Sequence, residues 1–259
     1  MAARRGTFSR PRLYYLRGAF RARAACLSPG GSLIRITALS PLPGRPGRVA
    51  VSVDGVTRCT AAIEVVAAAG LHVGDAVEES ALARLERADL AWRVRQAAFD
   101  LLAYRPRSLE ELRRRLLRKS FPEDAVDACL ADLRARGWLD DEAFAAGFVR
   151  DRIRRRPRGR RALVFELRAR GVAPERAAGA VEEVFREDGV SELDLARAAA
   201  KAWRRRAGKE AARAGAACTA SADARRLRDR RRLHAYLMRR GFSAAVVGEV
   251  VAEIARRSD

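Results

Sequence analysis

Lysine, histidine and paired cysteine are nearly missing from this chain, and each scarcity narrows what it does. Lysine occurs only at 119, 201 and 209 although Lys and Arg together number 53, so the positive charge is guanidinium charge. Gene base composition accounts for part of the preference for Arg and Ala. It does not account for the sign of the net charge, because Asp and Glu codons were equally open. Four cysteines (Cys26, Cys59, Cys129, Cys218) are scattered without a CxxC pair, and His72 and His234 stand alone. Neither a zinc site nor a disulfide framework is therefore expected, and a reducing cytoplasm is. Gly-rich phosphate loops, Ser/His/Asp or Cys/His arrangements and clustered acids are also missing, which points away from an enzyme, a cofactor or a metal. No apolar run approaches the ~20 residues of a membrane span, so no membrane partner is expected. The basic N-terminus carries no continuous apolar stretch of the kind a secretory signal needs.

What is present is arginine, alanine and leucine in a helical rhythm. Charged residues make up 33% of the 259 and the formal net charge is +21. A field of that sign favours nucleic acid or an acidic protein surface. With 49% apolar residues the chain has ample material for cores.

The stretch 137–171 sets the organisation. Gly137 ends one helix, Asp140 or Asp141 caps the next, and Leu139 with Phe144 is spaced as a hydrophobic staple. Phe144, Phe148 and Val149 share an apolar face. A dense corner over 150–161 holds eight arginines against one aspartate. Leu163 and Leu167 then lead to Arg170–Gly171. The pattern recurs without gaps: Leu112, Leu116 and Ser120 align with Leu163, Leu167 and Gly171, then with Leu233, Leu237 and Gly241. Val126, Leu130 and Leu133 likewise meet Ala177, Val181 and Val184, then Val247, Val251 and Ile254. The offsets are 51 and 70 residues. Such self-similarity marks tandem units that bury their apolar faces on one another. The expected fold is mainly α: three tandem three-helix repeats in an elongated curved array, with a small β-containing element at the N-terminus.

Along the chain, 1–31 is a basic arm with no acid in its first thirty residues, expected to be disordered. Alternating runs from Leu33 and Arg48, with Asp54–Gly55 as the next turn, predict a small α/β element at 32–80 with a helix over 62–69. A linker helix and repeat 1 occupy 81–137, with Ser108-Leu-Glu-Glu111 as a capping box. Repeat 2 covers 138–189 and repeat 3 covers 190–259. Residues 207–222, poor in large apolar groups, read as a loop insertion that lengthens the second offset.

The Asp140–Asp141 pair suits helix capping better than acid–base chemistry, given its place between a helix stop and an apolar rhythm. Trp92, Trp138, Trp203 and Tyr236 fall on apolar faces and read as core rather than base-stacking groups. The arginines remain. Arg113, Arg114 and Arg118 form one cluster, Arg154, Arg155, Arg156, Arg158, Arg160 and Arg161 a second, and Arg226 with Arg230 represents a third. A charge run is ordinarily a solvated face; three runs at related places in a repeat favour a stripe that contacts phosphate without reading sequence.

The segments RPRSLEELRRRLLRKSF (105–121), GWLDDEAFAAGFVR (137–150) and RGRRALVFELRARGV (158–172) resemble the RecX regulatory proteins. The resemblance covers about 90–257 and is most specific at 137–145. It implies a non-enzymatic modulator of the RecA recombinase, lying as a monomer in the groove of the RecA–DNA filament. It also implies contact with single- and double-stranded DNA and inhibition of ATP hydrolysis, strand exchange and coprotease activity, with effects on recombinational repair and the SOS response. The rival reading is a helix-turn-helix DNA-binding protein. Three quasi-equivalent units and few Asn or Gln residues for base readout count against it.

Overall fold

The computed structural model of this chain describes residues 33–213 and 222–256. The arm expected at 1–31 lies outside them, as do Cys26 and Cys218. Most of the described chain is helical, and a small antiparallel sheet stands at its N-terminal end. The chain divides into two compact units. One takes the residues up to Arg105 together with Arg113–Asp132, the other Pro106–Leu112 and Leu133 onward.

In the first unit β1 (Leu33–Pro41), β2 (Arg48–Val53), β3 (Val56–Ala62) and β4 (Ala76–Glu78) are ordered β3-β2-β1-β4. The β2–β3 hairpin closes at the pair Val53–Val56 around Asp54–Gly55. Both turn residues have positive φ, 49° and 82°, as a type I′ turn demands. One sheet face buries Ile36, Val49, Val51 and Val53 beside Val65 and Val66 of α1 (Ile63–Ala68) and Leu82 and Leu85 of α2 (Glu79–Tyr104). Trp92 packs on the same core. Asp89, 3% exposed, ties helix to sheet. Its carboxylate takes two hydrogen bonds from the Arg48 guanidinium, at 3.1 and 3.0 Å, and one from the Ala62 N–H at 2.8 Å. Each charge is thereby compensated, which burial requires.

After α2 come α3 (Leu109–Leu117), α4 (Glu123–Ala135), α5 (Asp141–Arg155), α6 (Arg160–Ala169), α7 (Pro174–Glu187), α8 (Glu192–Arg213), α9 (Ala222–Arg239) and α10 (Ala244–Arg256). The aligned positions are equally buried. Leu112, Leu163 and Leu233 are 0%, 0% and 2% exposed, and Leu116, Leu167 and Leu237 are all at 0%. The first helices keep step as well: Val94, Ala145 and Ala196 are buried, as are Ala98, Val149 and Ala200. These lie 51 apart twice over, so the extra length of the third repeat falls between Ala200 and Leu233.

Helix α7 packs on α5 and α6 around Ala145, Val149, Leu163, Leu167 and Val181; α10 packs on α8 and α9 around Ala200, Leu233, Leu237, Phe242 and Val247. Trp203 and Tyr236 rest against the latter core, their rings 6.3 Å apart. The loop expected over 207–222 requires correction at both ends. Helix α8 continues to Arg213 and α9 begins at Ala222, so within that span only 214–221 lies outside the described residues. Ala, Lys, Glu and Arg are strong helix formers, and a solvated helix needs no large apolar groups.

The turns after the second helices repeat too. Ser120, Gly171 and Gly241 have φ of 60°, 86° and 78°. In the latter two, N–H groups of the turn close back on the helix: Val172 N–H donates to Leu167 O at 3.2 Å and Phe242 N–H to Leu237 O at 3.4 Å. Glycine enters this left-handed conformation without strain, whereas Ser120 carries a Cβ into it.

Candidate nucleic-acid interface

Two equivalent joints hold successive repeats together in the second unit, and they fix where the arginines stand. At the first, Ser108 Oγ accepts from Glu111 N–H at 3.1 Å, as a capping residue should, and donates to the carbonyl of Arg170. Asp141 Oδ1 accepts from Leu109 N–H at 2.9 Å. At the second joint the register partners take the same places. Gly159 N–H donates to Arg240 O at 3.0 Å, and Glu192 Oε1 accepts from Arg160 N–H at 3.1 Å. The approach at Gly159 is so close that a Cβ there would lie 2.2 Å from Gly241 O. The Arg240 guanidinium completes the joint by donating to Pro157 O at 3.1 Å.

The acids that invited a catalytic reading are accounted for in this way. Asp140 accepts from Glu142 N–H and Ala143 N–H at 2.8 and 3.0 Å and caps its own helix, while Asp141 caps α3. They border a cleft of about 340 Å³ lined also by Arg134, Leu139 and Arg176.

The basic corner is braced by carboxylates, but not neutralised. Arg154 and Arg155 share Asp151, at 3.3 and 2.8 Å. Arg158 shares Glu166 with Arg152, at 2.8 and 2.9 Å. Arg160 reaches Glu182 at 3.0 Å and lies over the Phe185 ring, 4.1 Å from its centroid. Arg156 and Arg161 are exposed and have no ion pair among the described residues. In α3, Arg113 is bound to Asp127 at 2.7 Å and to Glu123. The hydrogen bonds that Arg113 donates to Asp127 and then to Glu123 push its pKa above the usual guanidinium range, and the same bond to Asp127 holds that carboxyl below the carboxylate range. Arg113 is thus committed within its own unit. Arg114, Arg118, Arg226 and Arg230 are exposed.

Arginines 155, 156, 158, 160 and 161 correspond, at the offset of 70, to 225, 226, 228, 230 and 231. The first set begins at the end of α5 and crosses the corner into α6; the second lies wholly within α9.

Two further arginines escape sequence reasoning. Arg240 lies 4.9 Å from the Tyr236 ring centroid, and its guanidinium pKa is pushed down by burial first and then by Arg158, Arg206 and Arg156, against an opposing effect of Tyr236. Arg156, Arg158 and Arg206 therefore each lie within electrostatic reach of Arg240. Of these, Arg156 and Arg206 are exposed without an ion pair among the described residues. Such a concentration of like charge favours a bound anion. The signal for Arg240 was its place before Gly241, matching Arg170 before Gly171; Arg206, on α8, had none.

Comparison with known proteins agrees with this architecture. Residues 95–133 match the model of the first three-helix domain of RecX, and residues 140–181 that of the second. The regulatory protein RecX of Geobacillus kaustophilus is 30% identical over 184 residues, covering 71% of this chain and 62% of that protein. That of Amycolatopsis mediterranei is 42% identical over 105 residues, covering 40% of this chain and 58% of that protein. The chain thus spans about three fifths of the length of these relatives. A crystal structure of a regulatory protein RecX superposes with a TM-score of 0.60 at 23% identity, over 84% of this chain and 98% of that one, and so shares the fold. With two family domains matched in order, the repeat architecture in common and curated relatives of one name, this chain belongs to the RecX family of regulatory proteins.

Proposed function

We propose that this protein is a non-enzymatic negative regulator of RecA. It lies along the RecA–DNA filament, holds DNA phosphate or acidic protein surface through its arginines, and inhibits ATP hydrolysis, strand exchange and coprotease activity. Recombinational repair and the SOS response are then under its control. The observation that carries the reading is the recurrence of arginines at repeat-equivalent positions on repeats joined by equivalent contacts. Repeated weak contacts on a repetitive polymer multiply in effect. Arginine suits either partner, because its planar fork pairs bidentately with phosphate or carboxylate.

The test is ATP hydrolysis and strand exchange by the RecA of the same cell, with and without this protein. Inhibition should be strong for the wild type and largely abolished when Arg154, Arg155, Arg156 and Arg161 are changed together to Ala. Unaltered hydrolysis and exchange at saturating protein would refute the reading. The salt dependence of DNA binding assigns the corner. Removing one arginine–phosphate pair flattens the slope of log K against log salt by ~0.9 on duplex and ~0.7 on single strands. Unchanged DNA binding with abolished inhibition assigns the corner to RecA instead.

A further inference from the structure

Helix α6 presents a large aromatic to solvent where its fold has no use for one. Leu163 and Leu167 fill the core completely, yet Phe165 between them is 71% exposed. At the register positions the other repeats carry Arg114 and Ala235, so the packing of a repeat does not call for an aromatic there. Arg161, four residues before, and Arg168, three residues after, lie on the same helical face. Both are exposed, and neither has an ion pair among the described residues. The intervening acid, Glu166, is committed to Arg152 and Arg158. The two cations are separated by about 10 Å along the helix axis, which leaves one aromatic face between two phosphate contacts.

We propose that Phe165, flanked by Arg161 and Arg168, is a stacking platform for an unpaired base of single-stranded nucleic acid. The proposal rests on the nucleic-acid part of the function given above and adds a preference for single strands, because a duplex keeps its base faces stacked inside. The charges favour this occupant: two exposed cations on either side of one aromatic face match the phosphates on either side of a stacked base.

Full-length protein is titrated with labelled oligo(dT) and with a duplex of equal length at several salt concentrations. Phe165→Ala and Phe165→Leu should each weaken oligo(dT) binding about tenfold, since stacking contributes roughly 5- to 150-fold per base, and leave the salt slope unchanged. Phe165→Trp should bind as well as wild type or better. Arg161→Ala should instead flatten the single-strand slope by ~0.7. Duplex affinity should move less than twofold for the Phe165 variants, and melting temperatures should match wild type, as the ring is outside the core. Wild-type affinity in Phe165→Leu, or an equal weakening on duplex, overturns the platform. So does weakened RecA binding with DNA binding intact, which would make Phe165 a protein anchor. Failure of the wild type to bind any DNA removes both the platform and the phosphate reading, whereas wild-type oligo(dT) affinity in Phe165→Ala removes the platform alone.

Discussion

Asp141 caps a helix other than its own. Its carboxylate receives the N–H of Leu109, 32 residues earlier, while the neighbouring Asp140 attends to α5. Glu192 repeats the relation with Arg160, again across 32 residues. A carboxylate at a helix start satisfies an orphan donor and opposes the helix dipole at once. Here it also welds one repeat to the next.

Asp141→Ala should therefore destabilise the protein by ~1 kcal/mol, the usual effect of losing a cap, and Asp141→Asn by only a few tenths, because the amide oxygen still accepts. Urea unfolding measures both. The double variant Asp140→Asn with Asp141→Asn should also keep the proposed effect on RecA. Complete loss of that effect in a stably folded double variant would mean that the pair does chemistry rather than capping.

Gly159 faces the backbone of Gly241 and Phe242 with no room for a side chain. Gly159→Ala should cost ~1–3 kcal/mol through forced separation of the joint, and alanine is also the poorer residue at a helix N-cap, where Gly159 stands. Thermal melting reads the sign: a rise in melting temperature would show that the joint opens without penalty.

Ser120→Gly should do the opposite. The φ of 60° places Ser120 where a Cβ is strained and where the two equivalent repeats have glycine. A gain of ~1 kcal/mol is expected, partly offset by the freer unfolded chain. Denaturant titration that finds the variant less stable would deny the strain.

Asp89→Ala strips the Arg48 guanidinium of its counter-charge, leaving it only Thr60 as acceptor, and leaves the buried Ala62 N–H without Asp89. The loss should reach ~3–5 kcal/mol, with the sheet-bearing unit melting first. Near-ultraviolet circular dichroism follows it through Trp92, which packs there. A loss below ~1 kcal/mol would mean that water replaces both partners.

The repeats were legible because burial imposes a period: Leu112, Leu163 and Leu233 had to recur for three cores to form, and recurrence is visible in one dimension. The joints were not. Nothing in the order of residues distinguishes Asp141 from Asp140 as a cap, since the difference lies in which helix start each carboxylate meets in space. Gly159 passed as part of an arginine run, although its task is to be small. Strand β4 was missed because three residues cannot show an alternation. The candidate interface divides in the same way: the arginine clusters stand out in the sequence, whereas the commitment of Arg113 to Asp127 and the gathering of Arg206 and Arg240 beside Arg156 depend on folding.

The joints also have a direction. Each repeat supplies the carboxylate, and the turn carbonyl of Arg170 or Arg240, to the helix start of the repeat before it. A growing polypeptide therefore cannot finish α3 when α3 is made, nor α6 when α6 is made; each waits for the helices that follow. Completion travels backwards along the chain. Damage at the trailing end, such as a cut before Arg240, should be felt upstream at Gly159, which donates to the Arg240 carbonyl, before it reaches Leu109.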